Sequence, residues 1–347
     1  MACRKTVRAG YPTAAGGYHA RMRVVSLLPS ATETLCAIGG EDLLVGRSHE
    51  CDWPPSIADR PPLTSQKTTA TTSRAIDEQV RDALGDVHAG RNGGEPAGDA
   101  SAAEAPPSAD RSLYHLDTEQ LVALKPDVIL TQDLCEVCSI DLNTVRGVAR
   151  EMSPEPRVVS LNPARLEDVF DDLLTVGEAV GLDRNAQQAM VRLRGRYWAA
   201  RDWVNPYIEG PEIAFLEWMD PLFVGGHWTP QLITDAGGRH SLNAPGAKSR
   251  QIDATELIES MPDRLIICPC GFDLETTRRE IDVLRGQSWW SMLPAVMDGR
   301  VELVDGSQMF NRPGPRLVEA FEWLVSWIND LPQLMPADWP GETLGGA

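Results

Sequence analysis

The chain has 347 residues with a formal net charge of −18, 42% hydrophobic and 24% charged residues, which is ordinary globular composition with material for two lobes. That charge repels phosphate backbones and anionic lipid, so nucleic acid and membrane surfaces are poor partners. No run approaches the ~20 apolar residues a membrane-spanning helix needs, and seven cysteines, an odd number, fit a reducing compartment better than a disulfide framework.

In chain order, residues 1–22 are basic, free of acids and without the apolar core of a secretory signal, so they read as a disordered start in a cytoplasmic protein, with an organellar address as the alternative. "RVVSLLPSATETLCAIGG" then reads as strand, loop and helix, the helix capped by Ser30 or Thr32 and closed by Gly39 and Gly40. "LLVGRS" is a second strand leading into "HECDWPP". Residues 86–110, "DVHAGRNGGEPAGDASAAEAPPSAD", lack apolar periodicity and read as a disordered surface insertion. Helix and strand resume through "LDTEQLVALKPDVILTQ", and "RVVSLNP" follows as a strand. Residues 166–204 carry helical spacing throughout and predict one long helix with a break allowed at Gly181. Beyond Pro211 the alternation restarts: strand "EIAFLEW", helix "TPQLITDAGG", strands "DRLIICPC" and "RVELVDG", and closing helix "GPRLVEAFEWLVSWI". The pattern predicts two α/β lobes of parallel sheet, residues 23–163 and 211–333, joined by a bridging helix at 164–205 and followed by a tail at 334–347.

The segments "RVVSLLPSATETLCAIG", "GGHWTPQLITDAGG" and "RPGPRLVEAFEWL" resemble, in order, the substrate-binding proteins of ABC importers for cobalamin and iron chelates, the helical-backbone metal-receptor class. The resemblance implies two Rossmann-like lobes bridged by a rigid helix, a small-molecule or metal-chelate ligand between them, and an ABC-type permease as partner. It places ligand contacts on Pro29, Ser30, His49, Glu50, Asp52, Trp53, Gln132, Asp133, Glu217, Trp218, His227, Trp228, Phe310 and Arg312. The sequence departs from the family in lacking the expected secretion signal and in carrying thiols on the cleft loops.

In open parallel sheets ligands sit beyond the carboxyl ends of the strands. "HECDW", "DLCEVC" and "CPCGF" all fall at that edge, which makes Cys51, Cys135, Cys138, Cys268 and Cys270 candidates to converge on a metal. Packing as small hydrophobes, ligation of zinc or an iron-sulfur cluster, and a redox or cobalt-binding role all remain open for them. His49 suits an axial imidazole, Trp53, Trp218 and Trp228 could stack on a flat macrocycle, and Gly225 and Gly226 would let backbone approach a ligand. No GxSxG, Walker A or HExxH motif occurs. The resemblance therefore implies a binding protein for cobalamin or a related metal chelate, with a cleft metalloprotein or enzyme as the alternative.

Overall fold

The computed structural model describes residues 22–84, 113–133 and 140–344. The expected insertion at 86–110 lies outside these residues, as do Cys135 and Cys138 and nearly all of the basic start. The N lobe runs through β1 (Val24–Ser26), α1 (Pro29–Ala37), β2 (Leu44–Arg47), β3 (Thr64–Gln66), α2 (Ser73–Leu84), β4 (Tyr114–Leu116), α3 (Thr118–Leu124), β5 (Val128–Thr131), α4 (Leu142–Glu151) and β6 (Arg157–Ser160). Its main sheet is parallel, in the order β2-β1-β5-β6, and β3 and β4 form a separate antiparallel pair. The short apolar runs form these strands because helices cover both faces: Val24, Val25, Ile129 and Leu130 are all sealed from solvent. Asp117 and Asp141 start α3 and α4 by accepting hydrogen bonds from the backbone N–H groups of Gln120 and Thr144.

Helix α1 begins differently from expectation. Its first residue is Pro29, with Leu28 at the cap position and no side-chain cap, so Ser30 and Thr32 lie inside the first turn. Proline's fixed φ suits that position, and its missing N–H removes one of the unpaired donors of the first turn.

Residues 166–204 are two helices, α5 (Leu166–Val180) and α6 (Asp183–Arg201), separated by Gly181 at φ 71°. The α5 start meets Gln231, and the α6 end places Tyr197 Oη 2.6 Å from Asp235, both on α7 (Thr229–Asp235). The pair is thus a helical hairpin rather than one rod. At the turn, Asn185 donates to Ile38 O at the end of α1. The hairpin spans from the N lobe to the C lobe.

The C lobe contains β7 (Ile213–Met219), β8 (Leu222–Val224), α7, β9 (Arg250–Gln251), α8 (Ala254–Glu259), β10 (Arg264–Ile267), α9 (Leu274–Glu280), α10 (Asp282–Arg285), α11 (Pro294–Met297), β11 (Val301–Val304), α12 (Leu317–Ile328) and β12 (Gly341–Thr343). The sheet order is β12-β11-β10-β7-β8-β9, parallel at its centre and antiparallel at both edges. The expected tail is accordingly part of the fold. β12 pairs with β11, and Trp339 stacks on Trp323 with centroids 4.6 Å apart. A continuous apolar cluster joins Val24, Leu28 and Leu35 of the N lobe to Phe215, Trp228 and Phe321 of the C lobe through the hairpin. The two lobes thus share one core behind their cleft.

Candidate functional site

The carboxyl ends of β1, β2, β5, β7, β10 and β11 face one another across a cavity of about 570 Å³. The N lobe lines it with Leu27 to Ser30, Ser48 to Glu50, Asp52, Thr64, Gln66, Tyr114 and Gln132, and the C lobe with Glu217, Trp218, Phe223, Cys270 to Phe272, Gly306, Ser307 and Asn311 to Pro313. A register shift between Leu216 and Trp218 marks a bulge in β7, and Glu217 and Trp218 from that bulge line the cavity. Gly306 has a packing role: a Cβ there would lie 1.9 Å from Pro269 O, so only glycine lets the loops after β10 and β11 meet.

On the N-lobe wall His49 Nδ1 lies 2.7 Å from Thr64 Oγ1, which also meets Ser48 Oγ at 2.9 Å and accepts from His49 N–H at 3.0 Å. The Tyr114 ring sits 5.4 Å from the imidazole, and its hydroxyl donates to Glu50 at 2.8 Å. His49 Nε2 is buried and has no hydrogen-bond partner among the described residues. Burial lowers the imidazole's pKa and favours its neutral form. A neutral imidazole fixed through Nδ1 leaves Nε2 as the atom that chemistry can still use.

Arg312 crosses between the lobes at the cavity base. Its Nη1 lies 2.6 Å from Asp52 Oδ1 and 3.2 Å from Glu33 Oε1, and its Nη2 donates to Glu50 O at 3.1 Å. Only 8% of Arg312 and 4% of Glu33 is exposed, while the Asp52 side chain is 53% exposed, so the guanidinium ties a buried carboxyl group to one that reaches solvent. Burial pushes the Glu33 carboxyl up to about 7, against the pull of Arg312.

Of the residues expected at the site, Pro29, Ser30, His49, Glu50, Asp52, Gln132, Glu217, Trp218, Cys270 and Arg312 line the cavity. Others do not. Trp228 and Phe310 are buried in the shared core, with the Trp228 indole donating to Phe310 O at 2.6 Å, so neither ring is free to stack on a ligand. His227 stacks on Trp228 and donates its N–H to Ala247 O. Gly226 serves that packing, because a Cβ there would sit 2.2 Å from Ser249 N. Trp53 is 43% exposed outside the cavity, beneath the Arg316 guanidinium, and Asp133 donates its N–H to Asn162.

The thiols divide similarly. Cys51 is core, 3.1 Å from Thr32 Oγ1, and Cys268 is core near Met309 O. Burial pushes the Cys51 thiol up to about 12 and that of Cys268 well above the usual thiol range. Among the described residues no group of three His, Cys, Asp or Glu side chains is placed to hold a metal ion. Cys51, Cys268 and Cys270 therefore do not converge on one. The sequence reading missed Tyr114, Phe223, Phe272 and Asn311, and it missed α2, whose Ile76, Asp77 and Val80 also line the cavity.

Among the described residues no helix is long and apolar enough to cross a membrane. Comparison with known proteins identifies the fold. A family model described as Periplasmic binding protein matches residues 24–307, and the chain belongs to that family. It is 21% identical to an uncharacterized ABC transporter substrate-binding lipoprotein, YvrC, of Bacillus subtilis over 88% of this chain and 79% of that one. A periplasmic heme binding protein from Pseudomonas aeruginosa superposes with a TM-score of 0.63 at 18% identity, over 94% of this chain and 95% of that one. The periplasmic vitamin B12 binding protein BtuF of Vibrio cholerae gives 0.59 at 17% identity, over 89% and 96%. The architecture is the two-lobed α/β fold of these binding proteins.

Proposed function

We propose that this chain binds a neutral or cationic metal chelate of the corrinoid class, cobalamin or a close relative, in the interlobe cleft and delivers it to an ABC-type permease. The carrying observation is the charge of the lining: the carboxylates Glu50, Asp52, Asp77 and Glu217 stand against one guanidinium, Arg312, which is already engaged. Haem brings propionate groups that need unengaged cations, and the described lining supplies none. A corrinoid presents amides and a cobalt centre, which suit acceptors on the rim and apolar walls such as Leu27, Trp218 and Phe272. The relatives described above as binding vitamin B12 and heme make both ligands candidates on this fold, and the acidic wall favours the first. Among the described residues, the thiols of Cys51, Cys268 and Cys270 do not favour the metalloenzyme alternative.

The test is a spectral titration of the full chain with dicyanocobinamide, aquacobalamin and haemin. Stoichiometric binding of a corrinoid is expected, with haemin binding at least tenfold weaker. Tight haemin binding without corrinoid binding would sink the proposal.

A further inference from the structure

After β3 the described chain, residues 67–84, leaves the N lobe, and it is described again from Leu113 into β4. The two strands pair, and just beyond them Lys67 N–H donates to Leu113 O at 2.7 Å, so the ends of the excursion are fixed side by side. Its first part crosses to the other lobe. Ser73 N–H and Oγ both donate to Glu280 Oε2, at 3.0 and 3.2 Å. The Trp218 indole donates to Ser73 O at 3.1 Å, and Arg74 Nε meets Asp220 Oδ2 at 2.9 Å. Ile76 packs against the C-lobe core, and Ile76, Asp77 and Val80 line the cleft.

We propose that α2 is a movable strap forming a third wall of the ligand site: it lifts from Glu280 and Asp220 to admit the ligand, then docks again with Ile76, Asp77 and Val80 against it. The two-lobe architecture does not require such a wall, since each lobe has its own sheet and core. The described contacts that hold the strap lie mainly in its first turn, around Ser73, Arg74 and Ile76. Arg74 is largely exposed, so water can replace Asp220 as its partner when the strap lifts. The paired bases of the excursion keep α2 near the cleft while it is undocked. Ile76 and Val80, one turn apart, give the helix an apolar inner stripe that a ligand would cover.

The inference rests on the cleft being the ligand site, so one arm of its test needs no ligand. Hydrogen exchange of the full chain, wild type against the double variant Asp220→Asn with Glu280→Ala, should show the 73–82 segment exchanging at least tenfold faster in the variant. Segments in β7, β10 and α12 should be unmoved. The second arm is stopped-flow binding of dicyanocobinamide, for which the variant should raise both association and dissociation rate constants severalfold. Equal protection of 73–82 in both proteins would overturn the strap, because α2 would then be a fixed part of the C lobe. Faster exchange with unchanged cobinamide rates would overturn its role in ligand entry. Should wild type ignore cobinamide altogether, the corrinoid reading fails while the exchange arm still decides whether α2 lifts.

Discussion

Two sets of polar contacts span the same gap between the lobes, one at the base of the cleft and one at its mouth. Each pairs an arginine with carboxylates, yet their surroundings are opposite. Arg312 is buried, touches Glu33, Asp52 and Glu50 O, and lies beside the core the lobes share. Arg74 is exposed and meets Asp220 at the start of a helix that leaves its own lobe to reach the other. A buried guanidinium cannot leave Glu33 and the half-exposed Asp52 without stranding its own charge in a low-dielectric interior, whereas an exposed one exchanges its partner for water. The same chemistry thus makes a fixed tie at the base and a releasable one at the mouth.

The largest effect should come from breaking the base. Arg312→Ala removes contacts to two acidic side chains and a carbonyl and is expected to cost about 3 kcal/mol of stability in urea unfolding, near the lower end for losing one partner of a buried pair, because Glu33 can take up a proton. A cost below ~1 kcal/mol would erase the distinction between base and mouth.

The base should also respond to pH. Burial raises the Glu33 carboxyl from 4.5 to about 7, so between those values the folded state holds a proton that the unfolded state has released. The contribution of Glu33 to stability is therefore greatest at low pH and declines as pH rises through that window. Glu33→Gln has no such proton, so its stability relative to wild type should improve from pH 5 to pH 7.5 in urea melts. Asp172 and Glu302, also raised to about 7 by burial, remain in both proteins and cancel in the comparison. A pH-independent difference would show that Glu33 keeps an ordinary pKa.

Much of this contrast could be read from the sequence, but only on one side. The family resemblance placed Ser30, His49, Gln132, Glu217 and Arg312 at the cleft, and all five line it; the strand-end rule pointed to the loop cysteines Cys51 and Cys270, of which only Cys270 lines it. Aromatic residues misled where spacing cannot say which way a ring turns: Trp228 and Phe310 stand in cleft-like motifs and are core. The edge strands β8, β9 and β12 are too short for an alternation to register, so a mixed sheet read as parallel. "SRAIDEQVRDAL" carries helical spacing at Ile76 and Val80, which signals a helix. That it docks at Glu280 depends on a contact 207 residues away, for which no local pattern exists.

Cysteine reactivity should follow the same division. Cys51 lies in the core near the base, with its thiol pushed up to about 12, and Cys268 is equally enclosed, while Cys270 is exposed at the cleft. The thiolate is the reacting form, so a disulfide reagent should modify Cys270 in the native protein and reach Cys51 and Cys268 only on unfolding. Mapping the labelled peptides by mass spectrometry checks this. Native labelling of Cys51 would mean the base opens.

The smallest effect should come from the mouth. Asp220→Asn removes the charge that Arg74 meets but leaves Ser73 on Glu280 and the β3–β4 pair intact. An exposed pair gains little in water and less in salt, and the excursion stays tethered at its ends. The thermal midpoint of this variant should match wild type at both low and high ionic strength, while exchange in 73–82 rises. A fall in midpoint like that of Arg312→Ala would place α2 and the base in one cooperative unit. The strap could then not lift while the lobes stayed folded, since local opening requires a region whose stability lies below that of the whole.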